Sequence, residues 1–372
     1  MRKSYFLMAA AATMLAACSQ NDVLNEVQVQ EEAQAIGFST YAGKATRAEN
    51  NSTATAKTDL ETHHSTFKVW GYKDTYTGYV FDGVRVTADN GTWTYTNKKY
   101  WDKAATSYEF YAAAPDNGLW NLSSNGTLQN DDYFYFSSFE LQGKSLAHTK
   151  RQPSFESVAT ADCDLMIASP CQVTNNMFGN GNKVQLAFNH ILSRLNVTVN
   201  KGRNIEGEIL NITSFEVCNL KNKGGFNEAA EGVTSTQLAA GTCGRWAASG
   251  SYSVEGNPLN DVLRENAGNQ YIYQSLVIPQ VLGSETVRRD GKDVTAASAP
   301  YFTIKYTIGT ESDYEPFSAT FNLAQAFAKT NGMVLCEGYE NTLNITIDAE
   351  TIEFDAVVYE WTDKNVNSFD IK

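Results

Sequence analysis

Apolar and polar residues alternate with a period of two along most of the chain, in short runs closed by Gly, Asn and Asp, as in strands joined by turns. The first run places Ile36, Phe38 and Thr40 on one face within Ala33 to Ala48 (AQAIGFSTYAGKATRA). Gly43 and the small residues after it end that run, and Lys44 and Arg47 follow. From Phe67 onward FKVWGY, GYVFDGVRVT, GTWTYT and SYEFYAAAP read as strands. In Thr92 to Thr96 the aromatic Trp93 and Tyr95 share one face and the threonines the other, so one side packs and the other meets solvent. A second set opens near Asn182, with Val184, Leu186 and Phe188 and then Leu195, Val197 and Val199 on common faces. It continues through Ile209 to Val217, Tyr271 to Ile278, Tyr301 to Ile308, Phe317 to Leu323, Leu343 to Ile347 and Ile352 to Trp361. The longest loop falls at Asn219 to Gly256, and a helix of one to two turns is predicted at Asn322 to Lys329, stopped by Asn331 and Gly332. The pattern predicts an all-β fold of two antiparallel β-sandwich domains in tandem, over residues 48–181 and 182–372.

Composition agrees with that reading. The 372 residues suffice for two domains, and 12% aromatic against 19% charged residues suits half-buried strands. A net charge of -13, with no block of five Lys or Arg, excludes nucleic acid as a partner. Arg2 and Lys3, the apolar run Tyr5 to Met14 and the small residues before Cys18 read as a secretory signal over residues 1–17, too short to span a membrane. Leu15-Ala16-Ala17-Cys18 is similar to the bacterial lipoprotein box, which implies diacylglyceryl attachment at Cys18. Ser19 after it favours the outer membrane by the same likeness. Residues 18–47 then form a lipidated tether and a first strand that a trypsin-like cut at Lys44 or Arg47 would release.

Candidate chemistry changes the picture little. No G-x-S-x-G, H-E-x-x-H or Gly-rich phosphate loop occurs, and no catalytic residue, metal site or cofactor is assigned. His63 and His64 read as a solvated pair in a loop over Glu49 to Ser65, His148 as a polar-loop residue, and His190 as a core or edge residue bonded to backbone. Asp162 and Asp164 flank Cys163 without the further oxygen donors a calcium loop needs. Setting Cys18 aside from six cysteines leaves Cys163, Cys171, Cys218, Cys243 and Cys336, an odd number without C-x-x-C spacing; Cys163 and Cys171 could close a small loop, and the preferred reading is buried free thiols. The competing reading is a surface glycan-binding lipoprotein that uses some of its six Trp as sugar platforms, although Trp93 and Trp101 sit in core-like patterns.

Several stretches resemble the fimbrillin pilins of the Bacteroidales, in the Mfa-like and FimA-like type V group. These are Trp93-Thr94-Tyr95 with Tyr100-Trp101 and Tyr108 to Pro115; Asp164 to Ala168; Leu186 to Val197; Gly338-Tyr339 with Leu343 to Ile347 and Trp361; and the opening I-x-F with Thr46-Arg47-Ala48. The resemblance implies transthyretin-like sandwiches, lipoprotein export and cleavage between Arg47 and Ala48 by an arginine-specific protease. It also implies polymerisation with other pilin subunits by strand exchange, and adhesion to a host or bacterial surface receptor. Ile36 and Phe38 would then belong to a placeholder strand, leaving a lipid-anchored precursor at the outer membrane and a fimbrium at the cell surface.

Overall fold

The computed structural model describes residues 34–42, 60, 64–124, 126–128, 131–141, 148–149, 152–153, 164–179, 181–230, 244–249, 252–256, 270–282, 299–327, 334–349 and 351–360. Its strands begin with β1 (Gly37–Ala42), β2 (Thr66–Lys73), β3 (Tyr76–Asp89), β4 (Thr92–Thr94), β5 (Ser107–Ala114), β6 (Asn121–Ser123) and β7 (Tyr133–Glu140). The short β8 (His148–Thr149) and β9 (Gln152–Pro153) pair with each other, and β10 (Met166–Thr174) and β11 (Lys183–His190) follow. Next come β12 (Ser193–Lys201), β13 (Ile209–Leu220), β14 (Lys223–Asn227), β15 (Trp246–Ser249), β16 (Tyr252–Gly256), β17 (Gln270–Val277) and β18 (Gln280–Val281). The chain closes with β19 (Tyr301–Gly309), β20 (Tyr314–Asn322), helix α1 (Leu323–Phe327), β21 (Val334–Leu335), β22 (Tyr339–Ile347) and β23 (Ile352–Glu360). The protein is all-β, as its alternation dictates.

A seven-stranded sheet in the order β1-β11-β10-β5-β2-β3-β4 encloses one apolar core, made by Phe38, Phe67, Phe81, Trp93, Trp101, Phe110 and their neighbours. Strand β5 is buried on both faces: Tyr108, Phe110 and Ala112 enter this core, while Tyr111 and Ala113 enter a second one. That second core lies between the sheet and a four-stranded layer, β15-β14-β7-β6, which contributes Phe134, Phe136, Phe226 and Trp246. Two further four-stranded sheets, β17-β12-β22-β23 and β16-β13-β19-β20, sandwich a third core of Leu195, Val197, Phe215, Phe302, Leu343 and others.

Several expectations are corrected. Most pairs are antiparallel, but β1 runs parallel to β11, and β12 parallel to β22. The predicted long loop at Asn219 to Gly256 contains β14, β15 and β16; β14 lacks a period-two apolar run because Gly224 and Gly225 stand where side chains would, and β15 is mostly alanine after Trp246. A Cβ on Gly225 would lie 2.8 Å from the Ser137 carbonyl oxygen, so glycine lets β14 approach β7 closely. Sheet membership changes between His190 and Ser193, because β11 sits beside β10; β14 and β15 in turn carry later chain back to β7. The described residues between Gln34 and Glu360 form one compact unit. The short helix is present as α1, with Asn322 Oδ1 accepting from the Gln325 amide at 3.2 Å; Asn331 and Gly332 lie outside the described residues.

Candidate functional site

Strand β1 stands at one edge of the seven-stranded sheet, and its residues pair in register with β11 from Gly37 opposite Lys183 to Ala42 opposite Phe188. Period two turns Ile36, Phe38 and Thr40 toward the core, where they are 1%, 1% and 4% exposed. The Phe38 ring is boxed by Phe81 at 5.4 Å, Tyr95 at 5.8 Å, Phe110 at 5.9 Å and Phe67 at 6.2 Å between centroids, mostly edge to face.

The sheet curls until its two edges meet, so the opposite side of β1 is covered by Trp93 to Trp101. The Ile36 amide donates to the Lys99 carbonyl at 2.8 Å, the Trp101 amide to the Gln34 carbonyl at 3.2 Å, and Ala35 bridges Tyr100. The Tyr95 hydroxyl donates to the Ile36 carbonyl at 2.7 Å, and the Trp93 indole N–H donates to Thr40 Oγ1 at 2.8 Å. Burial raises the Tyr95 phenol above its ordinary value, which keeps its proton in place for that bond. The first strand therefore lies in a groove between β11 and this segment. The sequence signal for the groove wall was the Trp93-Thr94-Tyr95 alternation, with Thr40 as the polar member of an apolar face.

Other singled-out residues fall elsewhere. Cys18, Arg47, Ala48, Lys44, His63, Asp162, Cys163 and Cys243 lie outside the described residues. His64 is buried, correcting its reading as solvated, and its amide donates to the Leu60 carbonyl at 2.7 Å. His190 is buried, but its Nδ1 pairs with the Asp164 carboxylate rather than with backbone. With the Ile191 amide bonded to the Leu165 carbonyl at 2.9 Å, that pair fastens the end of β11 to the chain entering β10. Cys171 is a partly buried thiol and Cys218 a buried one. His148 lies in β8.

The described aromatic surface offers little to a sugar. Among the described residues Trp70, Trp93, Trp101, Trp120 and Trp246 are all buried, and the exposed large rings are the tyrosines Tyr76, Tyr100, Tyr135, Tyr314 and Tyr339; Trp361 lies outside them. Tyr133 and Tyr135, neighbours on β7, are inclined at 54° and form no flat platform.

An aromatic-cored, multi-sheet β protein whose N-terminal strand fills an edge groove defines the class. The fimbrillin-like family matches residues 46–361, and the chain belongs to that family of fimbrial and cell-adhesion subunits. A fimbrial protein from Bacteroides vulgatus superposes with a TM-score of 0.51 at 15% identity, covering 88% of this chain and 99% of that one, which shows a shared fold. A cell adhesion protein from Bacteroides uniformis, described as putative, aligns at a TM-score of 0.44 and 14% identity over 88% and 99% of the two chains. The tip fimbrial protein Mfa3 from Porphyromonas gingivalis aligns at 0.39 and 10% over 80% and 95%. No curated protein matches.

Proposed function

We propose that the chain is a structural fimbrial subunit that polymerises by strand exchange. It is exported as a lipoprotein acylated on Cys18 and held at the outer membrane. An arginine-specific protease cuts between Arg47 and Ala48, β1 leaves, and a strand of another subunit enters the groove. The resulting fimbrium supports adhesion at the cell surface.

The observation that carries this reading is β1 itself, an edge strand placed before the Arg47 position whose inward side chains Ile36 and Phe38 are each 1% exposed. Its departure would bare an apolar groove walled by Phe67, Phe81, Tyr95 and Phe110, together with the unpaired backbone of β11, a surface suited to β-augmentation. Burial of Ile36 and Phe38 is worth ~3 to 6 kcal/mol, which an incoming strand must replace. Because that strand has two faces of opposite character, a slip by one residue would turn its apolar set outward, so the register is fixed.

The test is digestion of the purified full chain with an arginine-specific protease, followed by N-terminal sequencing and denaturing gels. The expected result is a stable core beginning at Ala48 that forms SDS-resistant ladders, while Arg47→Ala protein keeps its first strand and stays monomeric. Ladders of equal strength from Arg47→Ala protein would sink the mechanism.

A further inference from the structure

We infer that Trp93 selects the strand that fills the β1 groove by requiring a hydrogen-bond acceptor side chain at the position of Thr40. The inference rests on the strand-exchange reading and gives its incoming strand a chemistry. The bonds from Tyr95, Lys99 and Trp101 reach backbone atoms of Gln34 and Ile36, which every strand carries, so they hold an occupant without choosing it. The bond from the Trp93 indole to Thr40 Oγ1, 2.8 Å long and buried at both ends, is different because it reads a side chain. An indole N–H can donate but not accept, so water or an acceptor must meet it, and burial leaves the occupant to supply that acceptor.

A valine at this position would fill the same volume and keep the apolar contacts, yet leave the indole N–H buried without an acceptor. A site built around a hydrogen bond discriminates strongly against an isostere that lacks it. Together with the boxed ring of Phe38 and the buried Ile36, the groove reads three alternate positions: an aliphatic side chain, an aromatic ring, and a Ser, Thr or Asn acceptor. The partner is therefore a strand of another subunit carrying that set in the orientation of β1.

The test begins with the intact full chain as wild type, Thr40→Val, Thr40→Ser, Trp93→Phe and the Thr40→Val/Trp93→Phe double variant. Amide hydrogen exchange of residues 37–42 is read against that of Thr66–Lys73. Thr40→Val should raise β1 exchange about tenfold when Trp93 is present and leave it unchanged in the Trp93→Phe background, and Thr40→Ser should stay near wild type. The same factor in both backgrounds, or none in either, overturns the inference. A second arm offers the arginine-protease-treated chain a fluorescent peptide of residues 34–42 and its Thr40→Val form. About tenfold weaker uptake of the valine peptide is expected, and equal uptake of the two overturns selection even where strand exchange occurs. Failure of the cleaved protein to take up either peptide counts against the strand-exchange reading, and the exchange cycle then decides on Trp93 by itself.

Discussion

Truncating Phe38 to alanine separates a strand that can leave from one that is merely part of the core. The ring is 1% exposed and has Phe81, Tyr95, Phe110 and Phe67 at centroid distances of 5.4 to 6.2 Å, so little can collapse into the space it leaves. Phe→Ala at such a site costs about 3 to 5 kcal/mol. The loss falls first on the docking of β1, because this edge strand has β11 on one side and only a few bonds to residues 95–101 on the other. At tenfold per 1.4 kcal/mol, the open state of β1 becomes roughly 140-fold to 4,000-fold more populated, up to the limit set by global unfolding. Native-state hydrogen exchange followed by mass spectrometry should show amides 37–42 exchanging faster by that factor, while β2 and β5 keep their wild-type protection. Far-UV circular dichroism should retain its β signal at 25 °C. If β2 and β5 accelerate by the same factor as β1, the strand is no separable unit and the argument for exchange at this groove fails.

Two further predictions concern buried charge. Arg194 and Glu340 pair at 3.4 Å between the parallel strands β12 and β22, and the other Glu340 oxygen accepts from Asn196 at 2.6 Å. Arg194→Met should destabilise by about 3 to 5 kcal/mol in urea unfolding, and Arg194→Met/Glu340→Leu should recover most of that; a double variant as unstable as the single would refute the pairing. Glu109 is buried in β5, and burial, the largest influence, raises its carboxyl above the usual range while Gln172 and Tyr111 pull it down. A raised folded value means the folded state holds the proton more tightly than the unfolded chain does. Stability from this group is therefore greatest at acid pH and is lost as pH rises from the ordinary glutamate value through the raised one. Glu109→Gln should flatten that slope and raise Tm at pH 7 by about 2 to 4 °C, and a lowered Tm with an unchanged slope would contradict the assignment.

Much of the fold is written in the period-two alternation of the chain. Strands β2, β5, β11, β12, β19 and β22 all contain runs that alternate as read. The remainder depends on facts that alternation does not carry. A strand's own pattern says which face is apolar but not which neighbour it takes, so the parallel pairing of β1 with β11 and of β12 with β22 stayed hidden. Strands β14 and β15 pack through isolated large rings, Phe226 and Trp246, set among glycine and alanine, and so read as loop. In β10 the register shifts between Ala168 and Cys171, with Pro170 at the irregularity, which breaks the pattern at the sheet's centre. The site was half legible: Ile36 and Phe38 stood out as apolar alternates, whereas the bond from Trp93 to Thr40 spans 53 positions and needs the curl of the sheet to form.

That curl also separates β1 from the edge strands β20 and β23. In β20 the partly buried Phe317, Ala319 and Phe321 pack against their core, and in β23 Ile352, Phe354 and Ala356 do the same, as expected where a sheet simply ends. The inward positions of β1 are almost completely excluded from water because Trp93 to Trp101 cover the side that an ordinary edge leaves open. An edge strand normally offers its outer backbone to a new partner and buries its side chains only partly. Here the outer backbone is already bonded at Gln34 and Ile36, just ahead of β1, so addition is blocked at Ile36, where both the amide and the carbonyl have partners. A second strand can reach these partners only by taking the place of β1. Under the proposed strand exchange, the same covering segment that holds the first strand in the groove leaves replacement of β1, rather than lateral addition, as the route at Ile36.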